Sequence, residues 1–334
     1  MIKLKAKNIL SIYGTLIGFS FLIILFCIIV PGFASMGNFT NILRSVSIIS
    51  IIATGLTVAL SANAFNLAIT GIAGFAGALT AGLMVWNQFN PFIAILIAIG
   101  CGVLFGIFIG LFVIYFKVDD LLASLGVMFI TQGLTLTYTG GLNIYSGMIK
   151  PSMEGQGGFI TAPGIIPDSF LFLGQGMIGA IPMPVIIMLI VMFMTHIFLE
   201  NTLWGRNIYS IGGNNEASYL AGIPVNQYRI LSHAVCGALS AVGGILLVSR
   251  LGSAQIAETQ NMLLDCVAAS YIGFSVLGKG KPNVFGTFIG AALMGTMVNG
   301  LTMIGLPYTV QDIFKGIIFL GALTMARFSK ISDY

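Results

Sequence analysis

Apolar runs of about 20 residues, the length at which a helix crosses a hydrocarbon core, recur from residue 10 to residue 327 with more polar stretches between them. Inside a bilayer only helices and closed barrels satisfy every backbone polar group, and uninterrupted runs of this length belong to helices. Only 7% of the 334 residues are charged, against about a quarter in a soluble domain, so a soluble fold is excluded. The expected fold is all-α: a polytopic helical membrane protein of about ten transmembrane helices, a single transmembrane domain over residues 1–334.

Taken in order, the expected spans cover roughly 10–30, 43–62, 67–86, 92–116, 121–139, 182–199, 229–249, 262–278, 284–304 and 307–327. The first is too long for a signal-peptide core and lacks a small-residue cleavage site, so it is read as a span. Residues 140–180, rich in Gly and Pro and carrying Glu154 and Asp168, are too polar to cross and form the expected external loop. Residues 200–229 are the one long polar interruption in the second half of the chain. Spans two to five and seven to ten have the order expected of two inverted halves, a common transporter plan.

Basic residues fix the orientation, because they accumulate in cytoplasmic loops. Of 14 in total, Lys3, Lys5, Lys7, Lys117, Arg206, Arg229, Lys279, Lys281, Arg327 and Lys330 fall on the side of the N-terminus. Arg44, Lys150 and Arg250 fall on the other side, and Lys315 lies within a span. Both termini and the 200–229 segment are therefore expected in the cytoplasm.

That segment contains a capped helix. Asn214 or Asn215 is suited to the N-cap, Glu216 complements the dipole in the first turn, and Gly222 with Pro224 stops the helix two turns later. A short helix between two spans suits either a docking surface for a soluble partner or a solvated connector.

Ionisable groups inside spans are costly and usually paired. Asp312 and Lys315, at i,i+3, can meet on one helix face, and Asp265 is the other candidate partner. A proton relay would need a longer chain of titratable groups, so these three are read as a structural ion pair locking helices. Uncharged polar residues within or between spans, notably Asn63 and Asn66 at the break before the third span, Gln132 and Asn299, are candidates for a translocation pathway, together with Phe65 at the same break. Thr131, Thr135 and Ser270 share that character, and for each a helix-to-helix hydrogen bond is the alternative. His196 and His233 flank the cytoplasmic segment and are read as interfacial.

Several chemistries are set aside. Residues 273–279 match the first seven positions of a phosphate-binding loop, but Gly280 stands where Ser or Thr must hold magnesium, and a hydrophobic helix rather than a strand precedes it. Cys27, Cys101, Cys236 and Cys266 have no metal-ligand spacing. No catalytic constellation is present, so no enzyme activity, resident cofactor or metal is expected in this chain.

The run Gly205-Arg206, then Gly212-Gly213-Asn214-Asn215-Glu216-Ala217-Ser218, then Ala221-Gly222-Ile223, resembles the coupling segment of bacterial ABC importer permeases. Glu216, Ala217, Ser218 and Gly222 fit the Glu-Ala-Ala-x-x-x-Gly pattern through which such permeases engage their ATPase. Together with Ser253-Ala254-Gln255, residues 286–291 and Asn299-Gly300-Leu301, it makes nearly the whole chain similar to the ribose-type simple-sugar permeases. The resemblance implies a transport subunit of the bacterial inner membrane that pairs with a second permease chain, alike or not. It implies a cytoplasmic ATPase, carrying ATP and Mg, docked around Arg206, Gly212, Gly213, Asn214, Glu216, Ala217 and Gly222, and an external solute-binding protein. One stretch departs: that family usually has Gly-Phe/Ile-Asp-Leu-Ser-Val-Gly where this chain has Ala64-Phe65-Asn66-Leu67-Ala68-Ile69-Thr70. Ribose therefore shares the field with autoinducer-2, other pentoses or hexoses, and nucleosides. A solo channel or ion-coupled carrier is the alternative class.

Overall fold

A computed structural model describes residues 17–151, 159–275 and 281–331. Lys3, Lys5, Lys7, Glu154, Gly278, Lys279 and Gly280 lie outside them. The described residues are all-α apart from three two-stranded pairings.

Helix α1 (Ile17–Ile29) leads into α2 (Met36–Ser61). The hydroxyl of Ser35 starts α2 by accepting from the Asn38 amide at 3.3 Å. From Val46 to Ala59 every residue of α2 is buried, which its all-round apolar sequence requires. After a break come α3 (Ile69–Val85), α4 (Pro91–Tyr115) and α5 (Asp120–Thr139). Asn90 with Pro91 opens α4 and Asp119 caps α5, its Oδ1 accepting from the Leu121 amide at 2.9 Å. Both follow the rule that a polar acceptor precedes a helix and proline suits its first position.

The 140–180 stretch, expected as a loop, carries structure. β1 (Ile144–Tyr145) pairs antiparallel with β6 (Ser253–Ala254), β2 (Ile149–Pro151) with β3 (Phe159–Thr161), and β4 (Met177–Ile178) with β5 (Ile181–Pro182). Within it α6 (Asp168–Gln175) buries Phe170 against α10, and the Ser249 hydroxyl donates to the Phe170 carbonyl at 2.5 Å.

The second half holds α7 (Met183–Asn201), α8 (Leu203–Gly213), α9 (Asn215–Leu220) and α10 (Val225–Leu251). It ends with α11 (Ile256–Asn261), α12 (Leu263–Ser275), α13 (Val284–Met303) and α14 (Tyr308–Ile331).

Helices α2 and α10 pack on each other at the centre, and each reaches into the other half. α10 lies against α4 and α3, α2 against α13 and α12, and α3 supports α5 as α12 supports α14. The α4–α10 seam depends on close backbone approach. A Cβ on Gly106 would stand 2.2 Å from the His233 carbonyl oxygen, so any side chain there forces the helices apart.

The expected count of about ten spans is not reached on length and composition. Six described helices, α2, α4, α5, α7, α10 and α13, are long and apolar enough to cross a membrane. Two of the four expected spans outside this set are shortened by breaks. Residues 62–68 leave α3 only 17 residues, and residues 252–262 leave α12 only 13.

Candidate functional site

At one end of the bundle the polar 200–229 segment folds as an elbow. The Thr202 hydroxyl, donating to the Phe198 carbonyl at 2.6 Å and accepting from the Gly205 amide at 3.1 Å, turns the chain from α7 into α8. α8 buries Gly205, Ile208 and Ile211 and leaves Arg206 in solvent. Its last turn rests on the end of α2: a Cβ on Gly212 would lie 2.1 Å from the Ser61 carbonyl oxygen, so only glycine permits this contact.

α9 forms as its local signals predict. Asn214 Oδ1 accepts from the Ala217 amide at 3.0 Å, Glu216 sits in the first turn, and Gly222, at φ +80°, ends it. Ser218 alone is buried, and its hydroxyl donates to the Asn214 carbonyl at 2.8 Å. Tyr219 is 73% and Leu220 84% exposed. They flank an open groove of about 380 Å³ that includes Asn215, Glu216 and Asn226. Two large apolar side chains held out on a short capped helix, beside a carboxylate, form a surface suited to a protein partner.

The elbow is tied down on both sides. Asn207 Nδ2 donates to the Tyr228 hydroxyl of α10 at 2.7 Å, and the Tyr209 hydroxyl donates to the Pro282 carbonyl ahead of α13 at 2.9 Å. Burial, with the Glu200 carboxylate adding to it, pushes the Tyr209 phenol from about 10 up to about 12.

Beneath the elbow lies the break between α2 and α3. Asn63 takes a left-handed φ of +52° and is exposed, and the half-buried Phe65 ring lies 6.1 Å from that of Tyr271. Asn66 is fully buried. Its Oδ1 accepts from the Ala68 amide at 2.9 Å and its Nδ2 faces His233 Nδ1 at 3.5 Å. The other histidine nitrogen, Nε2, lies 3.0 Å from Asp120 Oδ1, while Asp120 Oδ2 accepts from Arg229 at 2.5 Å. The partners assign the tautomer: Nε2 donates to the carboxylate and Nδ1 accepts from the amide. Ser124, one turn further along α5, accepts from the Leu67 amide at 3.0 Å.

Arg229, Asp120, His233 and Asn66 thus form one chain of contacts from just beyond α9 to the helix break. The expectation that His233 is interfacial is overturned, since it has no exposed surface. Its partner on α5 is 113 residues away, and nothing in the local sequence points to it.

At the opposite end, Lys315 Nζ lies 3.2 Å from Asp265 Oδ2 and 3.7 Å from Asp312 Oδ1, and donates to the Asn261 carbonyl at 3.2 Å. The expected ion pair forms, with the inter-helix partner closer than the i,i+3 one. Asn299 and this trio line the same cavity. The candidate pathway residues therefore divide between the two ends: Asn63, Phe65 and Asn66 under the elbow, Asn299 at the far cavity. Gln132 is half-buried in the second half of α5. Among the described residues no cluster of His, Cys, Asp and Glu is placed to hold a metal.

Residues 38–323 match the family described as the permease component of branched-chain amino acid transport systems. The ribose import permease protein of Bacillus subtilis (strain 168) is 32% identical over 97% of this chain and 95% of its own length. That of Escherichia coli (strain K12) is 32% identical over 88% of this chain and 86% of its own. The xylose transport system permease protein of Haemophilus influenzae is 28% identical over 97% of both chains. No solved structure matches the chain.

Proposed function

The chain belongs to the permease-component family of branched-chain amino acid transport systems, and from that premise we propose that it is the membrane subunit of an ATP-driven importer of simple sugars. The names of its relatives support the sugar: ribose and xylose permeases align over most of the chain. The observation that carries the transport mechanism is the α8–α9 elbow, an exposed docking surface in backbone contact with the end of α2 through Gly212 and Ser61.

On this reading ten helices cross the inner membrane as two inverted halves after α1. The reciprocal packing of α2 on α13 and of α10 on α4 supports the plan. The 200–229 elbow and both termini face the cytoplasm, the 140–180 region faces outward, and the subunit functions as a dimer with a second permease chain. A cytoplasmic ATPase binds ATP and Mg and docks on α9 around Glu216, with Arg206, Gly212, Gly213, Asn214, Ala217 and Gly222 shaping the segment. An external binding protein delivers the solute, and the permease hydrolyses nothing itself.

Movement of α9 has two routes inward: the Gly212–Ser61 contact, and the Arg229–Asp120–His233–Asn66 chain. Both end at the 62–68 break, where Asn63 and Phe65 line the inner part of the pathway and Gln132 the middle. Rigid displacement of the elbow would shift that break between two arrangements, a mode common to coupled transporters. Uptake of D-ribose or D-xylose into proteoliposomes holding this chain, its ATPase and its binding protein tests the reading. It requires ATP and the binding protein. Uptake driven by an ion gradient without ATP would replace it with a carrier.

A further inference from the structure

The sequence reading gives Asp265, Asp312 and Lys315 a purely structural role, but their surroundings are not those of a closed structural pair. They border a cavity of about 470 Å³ between α2, α10, α12, α13 and α14, within the about 300–1,000 Å³ range of small-molecule sites. Arg250, Glu258, Asn299 and Gln311 line it too.

We propose that this cavity is a solute-binding subsite within one subunit, taking a neutral polyhydroxyl molecule of monosaccharide size. The proposal deepens the importer reading and rests on it. Two buried acceptors carry it. Asp265 is only 3% exposed and its Oδ1 has no hydrogen-bond partner, and Asn299 Oδ1 is likewise buried and unpartnered. A buried acceptor left unsatisfied is unfavourable, so both oxygens gain from donors brought in by a ligand.

The charges decide which ligand. Two of the three Lys315 ammonium donors are taken, by Asp265 Oδ2 and the Asn261 carbonyl at 3.2 Å each, and Asp312 Oδ1 stands at 3.7 Å, beyond hydrogen-bond length but close enough to share the charge. Around the cavity the two cations Arg250 and Lys315 stand against the three carboxylates of Glu258, Asp265 and Asp312, an excess of negative charge that disfavours an anion. An inorganic cation at Asp265 Oδ1 would sit against the neighbouring ammonium, whose charge already neutralises that carboxylate. Hydroxyl groups fit both oxygens without either penalty. The Gln311 amide, donating to the Leu306 carbonyl at 2.9 Å, fixes the turn between α13 and α14.

The site is tested by thiol protection. Asn299→Cys, and separately Thr302→Cys on the same wall, are made with Cys27 and Cys101 replaced by serine, leaving only the buried Cys236 and Cys266. Each variant, assembled with its ATPase in nanodiscs, is labelled by a small water-soluble methanethiosulfonate with and without D-ribose or D-xylose. Leu142→Cys, exposed and away from the cavity, is the control. The expected result is slowing by more than about twofold in at least one cavity variant, as mass action gives once sugar exceeds its dissociation constant, with no change at Leu142→Cys. Unchanged labelling of both cavity variants, while the wild-type transporter takes up the same sugar, overturns the subsite and leaves the importer reading intact. Protection in a wild-type background that takes up neither sugar keeps the subsite and overturns the importer reading.

Discussion

The Asp120 carboxylate lies 3.0 Å from Nε2 of His233, although 113 residues separate the two in the chain. One residue thereby joins the first turn of α5 to the N-terminal half of α10. Because the same carboxylate holds Arg229 and the same imidazole faces Asn66, the contact is the middle of a chain rather than an isolated pair.

Removing that middle is expected to destabilise the fold. Asp120→Ala and His233→Ala each remove one partner of the Asp120–His233 hydrogen bond and should cost about 1–3 kcal/mol. Residues in one network couple, so the double variant should lose less than the sum of the two, by about 0.5 kcal/mol or more. Thermal unfolding in detergent of the four proteins checks this, and strict additivity would dissolve the network.

Glu216→Lys is expected to spare the fold and damage coupling. Glu216 is exposed and bonds to nothing described, and its place in the first turn of α9 predicts a cost of about 0.3–1 kcal/mol from the reversed charge. Membrane insertion and monodispersity should be unchanged while ATP-driven uptake falls severalfold. Full uptake by this variant would detach α9 from the ATPase.

Gly106→Ala is expected to open the α4–α10 seam. Its new Cβ would meet backbone, which cannot swing aside, so a cost of about 1–3 kcal/mol follows from overpacking. A lower melting temperature in the same detergent is the readout. Gly133→Ala, with open space around its Cα, should show no such loss.

The elevated Tyr209 phenol gives a pH dependence with a definite sign. Its folded value near 12 exceeds the ordinary value near 10, so the folded state holds this proton more tightly. The associated stability is complete below about pH 10 and is lost as the pH rises towards 12. Tyr209→Phe should flatten the melting-temperature profile in that window and also remove the hydrogen bond to Pro282.

Much of this architecture was legible because its signals are local. Apolar runs placed every long helix, and Asn214, Glu216 and Gly222 marked α9 to within a residue. The break at residues 63–66 was visible as amides among apolar neighbours, though not its anchoring by Ser124 and His233. Those partners sit on helices far along the chain, and no periodicity carries that information. The same limit hid the Asp265–Lys315 distance, the folding of α6 onto α10, and the cavity behind the ion pair. The expected ten spans are met in part, by six helices, since hydropathy registers apolar composition and does not register the breaks at residues 62–68 and 252–262 that leave α3 and α12 short.

Docking of an ATPase through the α8–α9 elbow is open to a direct experiment. Affinity isolation of the tagged protein from its native membranes in mild detergent, with co-purifying chains identified by mass, tests it most directly. The account predicts recovery of a nucleotide-binding subunit with the wild-type chain and its loss with Glu216→Lys. A chain that is repeatedly recovered stable and alone would contradict it.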